Sequence, residues 1–223
     1  EAGFMGAGAT GRPESRGFVR ASAPGVAAHP FLAPLFERLG VSARFQARLD
    51  GGPPLGVRLI EFRKGDARLL GVEVRRVIGL EYPARLTLDL GADCHAVEIR
   101  SGRDFGKTRM LECEANPFDV FLFSLLPRPA GALELSAPDR VRAGDTVRVS
   151  VVRPHAPAES VIRFRLVRPD GVSLRDYTRR VVTDGARAEG ALPLPYNAAP
   201  GAWTLEAADL VTQQSARRTV RVE

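Results

Sequence analysis

Val147-Arg148-Val149 and Ile162-Arg163-Phe164-Arg165 carry the pattern on which the fold turns. Apolar residues alternate there with polar ones, mostly arginine. A period of two sends successive side chains to opposite faces of an extended chain, so each segment reads as a strand with one buried and one solvated face. The pattern recurs through residues 129–223, in segments near 132–136, 146–152, 160–167, 173–182, 187–194, 203–209 and 216–222. The expected inward set is Leu133 and Leu135; Val147, Val149 and Val151; Ile162, Phe164 and Leu166; Trp203, Leu205 and Ala207; Val220 and Val222. Ala143-Gly144-Asp145, Pro169-Asp170-Gly171, Asp184-Gly185 and Pro200-Gly201 supply turns between them. Seven short strands at this density predict an immunoglobulin-like β-sandwich.

Upstream, residues 55–128 read as a small antiparallel β-domain. Val57, Leu59 and Phe62 precede a turn at Arg63-Lys64-Gly65-Asp66, and 69–77 is a second apolar run. Arg85-Leu86-Thr87-Leu88-Asp89-Leu90 alternates strictly; His95, Val97 and Ile99 follow, then a turn at Ser101-Gly102, then 110–114. The apolar segment 118–126 predicts a central strand covered on both faces. Strands this short, with no helices between them, favour antiparallel meanders over parallel crossover units. Pro127-Arg128-Pro129 marks the boundary between the two domains. Residues 1–54 read as an arm, the remnant of a preceding domain, with one short helix at 30–39. There Phe31, Leu32, Leu35, Phe36 and Leu39 make an apolar face, Pro30 suits the first turn and Gly40 the stop.

The net charge is +6 and the sequence pI about 10.1. Of the 32 basic residues only Lys64 and Lys107 are lysines. The arginines are scattered along strand faces and are not clustered with aromatic stacking partners, which argues against nucleic acid. No apolar run approaches the roughly 20 residues of a membrane-spanning helix. Residues 1–17 lack a basic segment followed by an apolar core, so they do not read as a signal peptide, and an opening at Glu1 reads as a mature or trimmed product.

Two groups of segments carry a family resemblance. The first is Gly65-Asp66-Ala67-Arg68-Leu69-Leu70-Gly71-Val72, with His95-Ala96-Val97-Glu98-Ile99-Arg100-Ser101-Gly102-Arg103-Asp104-Phe105-Gly106-Lys107-Thr108 and Phe121-Leu122-Phe123-Ser124-Leu125-Leu126-Pro127. The second is Val167-Arg168-Pro169-Asp170-Gly171, Tyr177, Leu192-Pro193-Leu194-Pro195-Tyr196-Asn197 and Pro200-Gly201-Ala202-Trp203-Thr204-Leu205. Over roughly residues 55–223 they resemble the carboxy-terminal regions of bacterial secreted proteins of the β-galactosidase trimerisation-domain group, relatives of glycoside hydrolase family 42. The chain departs from that pattern at Asn197-Ala198-Ala199, where an acidic residue is expected. The resemblance implies a secreted, periplasmic or cell-surface protein whose catalytic barrel and amidotransferase-like middle domain precede this region. It carries no catalytic residue onto this chain.

The residues themselves offer little chemistry. Glycoside hydrolysis needs two carboxylates across a sugar, and no spacing pairs Glu61, Asp66, Glu73, Glu112 or Glu114. His29, His95 and His155 are isolated, and His95 beside Cys94 has no partners, so no metal ligand set or cofactor is expected. Asp170, Asp176 and Asp184 lie in sandwich loops without a calcium-loop spacing, and the glycines from Gly3 to Gly11 are not set between a strand and a helix. Cys94 and Cys113 are a candidate disulfide that depends on hairpin register. A turn centred on Arg103-Asp104 would set them opposite each other; one at Ser101-Gly102 would set Cys94 opposite Arg109. Tyr196 and Tyr177 are candidate glycan contacts, Tyr196 the better because it adjoins a turn, whereas the alternation of Trp203 with Leu205 assigns it to the core. The expected role is therefore a non-catalytic accessory region that braces an upstream catalytic domain or a subunit interface, homo-oligomers included. The alternative is a carbohydrate- or cell-surface-binding module that contacts polysaccharide.

Overall fold

The computed structural model describes residues 20–22, 38, 44–52, 56–64, 66–154, 159–173, 177–183 and 185–223. The helix expected at 30–39 lies outside these residues except for Arg38, which is helical. Everything else of regular structure is β, in fifteen strands among the described residues.

The first seven are β1 (Arg20–Ser22), β2 (Gln46–Leu49), β3 (Val57–Lys64), β4 (Ala67–Val74), β5 (Ala84–Glu98), β6 (Asp104–Ala115) and β7 (Val120–Leu126). They form one antiparallel sheet in the order β1-β3-β4-β7-β5-β2, with β6 along the other edge of β5. The segments read separately around Leu88 and Val97 are thus a single long strand. The bend lies between Asp89, opposite Met110, and Cys94, opposite Thr108, where the β5 side carries extra unpaired residues. Gly91 makes the bend (φ 77°), and a Cβ there would come within 2.6 Å of the Arg44 carbonyl oxygen. The two halves of β5 consequently use the same edge differently, the first for β2 and the second for β7. This folding-over lets Leu86 and Leu88 share a core with Leu70, Val72, Phe123 and Leu125.

The strand expected from residue 118 begins at Val120. Phe118 has φ 72°, in the left-handed region, and sits in the turn before β7 with 76% of its surface exposed. Its N–H donates to the Val74 carbonyl and the Val74 N–H donates to the Asp119 carbonyl, while Asp119 Oδ2 accepts from the Asn116 N–H. These bonds fix the turn against β4. From Val120 on, β7 lies between β4 and β5, as a run apolar except for Ser124 suits; Val120 itself is exposed and full burial begins at Phe123.

The remaining strands are β8 (Glu134–Ser136), β9 (Arg140–Val141), β10 (Thr146–Val152), β11 (Val161–Val167), β12 (Arg179–Val182), β13 (Arg187–Pro193), β14 (Gly201–Asp209) and β15 (Ser215–Val222). They make a three-stranded sheet, β13-β10-β8, and a five-stranded sheet, β12-β11-β14-β15-β9. The inward residues read from the alternation are its core: all belong to one buried cluster drawn from both sheets, with Leu135 partly buried at its margin. Residues such as Trp203, Phe164 and Leu205 stabilise such a core by roughly 1.5–3 kcal/mol each relative to exposure. Eight strands stand where seven were expected. The extra one is β9, which runs parallel to β15 after the chain leaves β8 and changes sheet past Pro138, a residue with no N–H to continue a ladder. Within 173–182 only Arg179–Val182 is a strand, and Ser173 forms an isolated bridge to Val167.

Candidate functional site

The strand registers place Tyr196 and Tyr177 at one end of the sandwich. Thr146 faces Pro193 and Val167 faces Thr204, so the turns at 142–145, 168–171 and 194–200 gather there. Tyr196 is 93% exposed. The Cδ1–Cε1 edge of its ring comes close to Gly144 (φ 83°), where an added Cβ would be 2.7 Å from Cδ1, and the rest of the ring is open to solvent. Tyr177, just ahead of β12, is half-buried and adds no second open platform. Trp203 is in the core, its indole Nε1–H donating to the Ala199 carbonyl at 2.9 Å.

The other candidates do not converge. Glu61, its side chain 9% exposed, pairs with Arg63 and Arg44, while Glu73 pairs with Arg58 and Arg75 and Glu112 with Arg85 on more solvated ground. Hydrogen bonding from Arg75 holds the Glu73 carboxyl below its ordinary range. Asp66 and Glu114 are exposed. His95 faces Lys107 and Leu126 across its ladders, and no three His, Cys, Asp or Glu side chains come together as a metal site among the described residues. Asp170 accepts the Val172 N–H and pairs with Arg168, which shapes its turn. His29, His155, Asp176 and Asp184 lie outside the described residues.

The two thiols are not bridged. The bulge at Gly91 moves Cys94 opposite Thr108, one residue from the Arg109 expected of a Ser101-Gly102 turn, and Cys113 stands opposite Leu86. Eight positions of strand separate the two sites, on the order of 20 Å at the usual rise, far beyond disulfide reach. Burial pushes both thiols up, Cys113 to about 11.

Two buried polar groupings escaped the sequence reading. At the sandwich end opposite Tyr196, Arg153 Nε lies 2.7 Å from Asp209 Oδ2, both side chains at most 3% exposed. The N–H is off the line to the oxygen, so charge holds the contact more than an aligned hydrogen bond does. Asp209 Oδ1 accepts from the Ser160 hydroxyl and from the N–H groups of Val211 (2.8 Å) and Thr212 (3.1 Å), while Arg153 Nη1 donates to Thr183 Oγ1 at 3.1 Å. The signal was present in the chain. The inward alternation Val147, Val149, Val151 runs on to Arg153, and Trp203, Leu205, Ala207 runs on to Asp209. The second grouping is Glu98, 5% exposed, whose Oε2 accepts the Ser101 N–H at 2.6 Å and whose Oε1 accepts the Leu122 N–H at 3.1 Å. Burial opposes its ionisation, but hydrogen bonds from Ser101, Leu122 and Arg100 outweigh that and hold the carboxyl below its ordinary range. Both groupings bracket loops, Glu98 through hydrogen bonds and Asp209 through its counter-charge and Oδ1, while Asp209 Oδ2 and Thr212 Oγ1 have no hydrogen bond among the described residues.

No protein-family model matches the chain, and no curated protein matches it. Among solved structures, one match is Arthrobacter globiformis T6 isomalto-dextranase complexed with panose, at 11% identity and a TM-score of 0.27. The match covers 61% of this chain and 32% of that one. At that TM-score it carries no argument about function.

Proposed function

We propose that the chain is a non-catalytic accessory region of a larger, secreted glycoside-hydrolase-like protein, ending in an immunoglobulin-like sandwich that supports an upstream domain or a subunit interface. The observation that carries this reading is the end of the first sheet. Ile78 is 98% exposed in the loop that leaves β4, and Phe118 presents its ring to solvent from the turn bonded to that strand's last residue. A bulky residue with positive φ is a backbone outlier that costs on the order of 1–3 kcal/mol. Spending that energy to hold an aromatic ring outward makes sense where another polypeptide covers it. The immunoglobulin-like assignment draws support from the strand order, three strands facing a sheet of β12, β11, β14, β15 and the two-residue β9.

The test compares two contexts. Ile78→Asp with Phe118→Asp leaves the melting temperature of the isolated chain within about 2 °C, since both side chains are exposed, a small change in ΔG. In the full-length protein the same pair lowers the melting temperature of the upstream part or dissociates subunits. Identical behaviour in both contexts overturns the docking role. Turnover of any aryl glycoside or polysaccharide by the isolated chain, abolished by a single carboxylate substitution, overturns the non-catalytic one.

A second reading, a carbohydrate-binding module, is favoured by Tyr196 alone: an aromatic ring 93% exposed, with one edge close to Gly144, suits stacking against a sugar. Depletion of the chain from solution by insoluble polysaccharides, lost in Tyr196→Ala with an unchanged unfolding curve, supports it. Depletion that persists in the variant removes Tyr196 from consideration.

A further inference from the structure

The outer face of the five-stranded sheet carries charge that the fold does not compensate. The registers set four arginines side by side there: Arg180 on β12, Arg163 and Arg165 on β11, and Arg217 on β15. The one carboxylate among them, Glu206 on β14, is taken by two. Its Oε1 is 2.7 Å from Arg217 Nε, and its Oε2 accepts from Arg165 Nε. That leaves Arg163 directly across the ladder from Arg180. Neither guanidinium has an ion-pair partner among the described residues, and Arg163 Nε is buried without an acceptor. Like charges facing each other across antiparallel strands oppose folding, and an unsatisfied buried donor adds to that.

Beside Arg163 the face drops away. Ala208 stands opposite it on β14, and Ser215 stands opposite Ala208 on β15. A trough of about 230 Å³ opens over Ala207-Ala208, walled by Arg163, Arg165 and Arg217 with Glu206, whose carboxylate is held by Arg165 and Arg217, and closed by Gln213 and Ser215. Gln213 Nε2 donates to the Leu210 carbonyl, which leaves its amide oxygen free to accept.

We infer that this trough is an anion site that binds a carboxylate-bearing sugar unit of an acidic polysaccharide. A planar carboxylate matches the guanidinium of Arg163, which is half-buried in the trough wall and has no ion-pair partner among the described residues. The Ser215 hydroxyl and the Gln213 amide oxygen are the polar pair that a sugar hydroxyl requires. Nucleic acid finds no aromatic side chain among the lining residues on which to stack a base, and an acidic peptide finds no apolar pocket for its side chains. Three strand spacings separate Arg180 from Arg217, about 14 Å, which spans more than one ring and favours a polymer over a monosaccharide. The site is on the sheet face, apart from Tyr196, and stands whether or not that ring binds glycan.

The experiment is titration of fluorescently labelled oligogalacturonate with the chain, read by anisotropy, alongside Arg163→Gln and Arg148→Gln. Arg148 is exposed on β10 of the other sheet, so both variants lose the same charge. Oligogalacturonate binds the unmodified chain. Arg163→Gln weakens it about tenfold, the effect of losing a charge-assisted hydrogen bond, while Arg148→Gln leaves it unchanged. Arg163→Gln also raises the denaturation midpoint, because it relieves the repulsion with Arg180. Equal weakening by both variants overturns the site as general charge attraction. Equally tight binding of polyglutamate or duplex DNA overturns the sugar assignment, and no binding at low salt overturns the proposal entirely.

Discussion

Asp209→Asn separates the charge of the buried Arg153–Asp209 pair from its hydrogen bonds. The asparagine keeps an oxygen where Oδ1 accepts from Ser160, Val211 and Thr212. What changes is the Oδ2 position, 2.7 Å from Arg153 Nε, which becomes an NH2 donor facing a donor. Removing one partner of a buried pair costs about 3–5 kcal/mol because the other charge stays desolvated. The retained acceptor places this variant at the low end, about 3 kcal/mol. With a urea slope near ~2 kcal/mol/M, the midpoint falls by about 1.5 M at unchanged slope. The assay is built in: Trp203 is the chain's one tryptophan, is 1% exposed, and belongs to the same core, so its fluorescence reports on this sandwich. Arg153→Met with Asp209→Leu then costs less than the two single changes summed, though more than nothing, since Val211 and Thr212 lose their acceptor. A loss below about 1 kcal/mol for Asp209→Asn would refute the reasoning, for it would mean that water already reaches the pair.

Three further expectations follow from the first sheet. Glu98 has a folded-state pKa below its unfolded value, so its contribution is fully present above the unfolded carboxylate range and is lost as pH falls through the lower folded value. Urea midpoints measured from pH 7 to pH 3 therefore fall in acid, and Glu98→Gln, about 2 kcal/mol less stable at pH 7, shows a flatter profile; parallel profiles would exclude Glu98 as a source of acid sensitivity. Gly91→Ala meets both a positive φ and the Arg44 carbonyl at 2.6 Å, so it destabilises by about 1–3 kcal/mol in a thermal melt, whereas an unchanged midpoint would show that the bend between β5 halves can relax. Buried Cys94 stays unalkylated by iodoacetamide at pH 8 until the protein is unfolded, half-buried Cys113, pushed up to about 11, reacts slowly, and reductant leaves the melting temperature unchanged; rapid native labelling of Cys94 would contradict its burial.

The sandwich was legible because its signal is local. Alternation at Val147, Ile162 and Trp203 identifies each inward face without knowledge of the neighbouring strand. The bent sheet was legible only in pieces. Whether Leu88 and Val97 share a strand depends on Gly91 tolerating the Arg44 carbonyl, a contact across 47 positions of chain that no periodicity encodes. The same bulge decides the cysteine register, so either simple turn misplaces Cys94. Phe118 was misread because composition favours a strand for an apolar aromatic, and only the Val74 hydrogen bonds put it in a turn. Arg153 and Asp209 could have been found, had the two alternations been followed one step past their last apolar residue.

The sites where this chain breaks a local rule fall into two kinds. Natural sequences are largely consistent from level to level, and their exceptions concentrate where structure or function compensates. Arg153, Asp209 and Glu98 place charge on buried ground, yet each violation is answered inside the molecule, by a counter-charge or by backbone donors. Such groups hold loops in place, and their loss should be read in stability. Phe118 and the Arg163–Arg180 pair are not answered within the described residues: one exposes a ring from a strained backbone, the other sets like charges side by side. On the two proposals made above, compensation for these comes from outside, as a polypeptide at the Ile78–Phe118 end of the first sheet and an anion on the outer face of the five-stranded sheet. Removing an internally answered group lowers stability, whereas relieving an unanswered one leaves stability unchanged or raises it and removes binding. That opposition in sign distinguishes the two kinds by measurement.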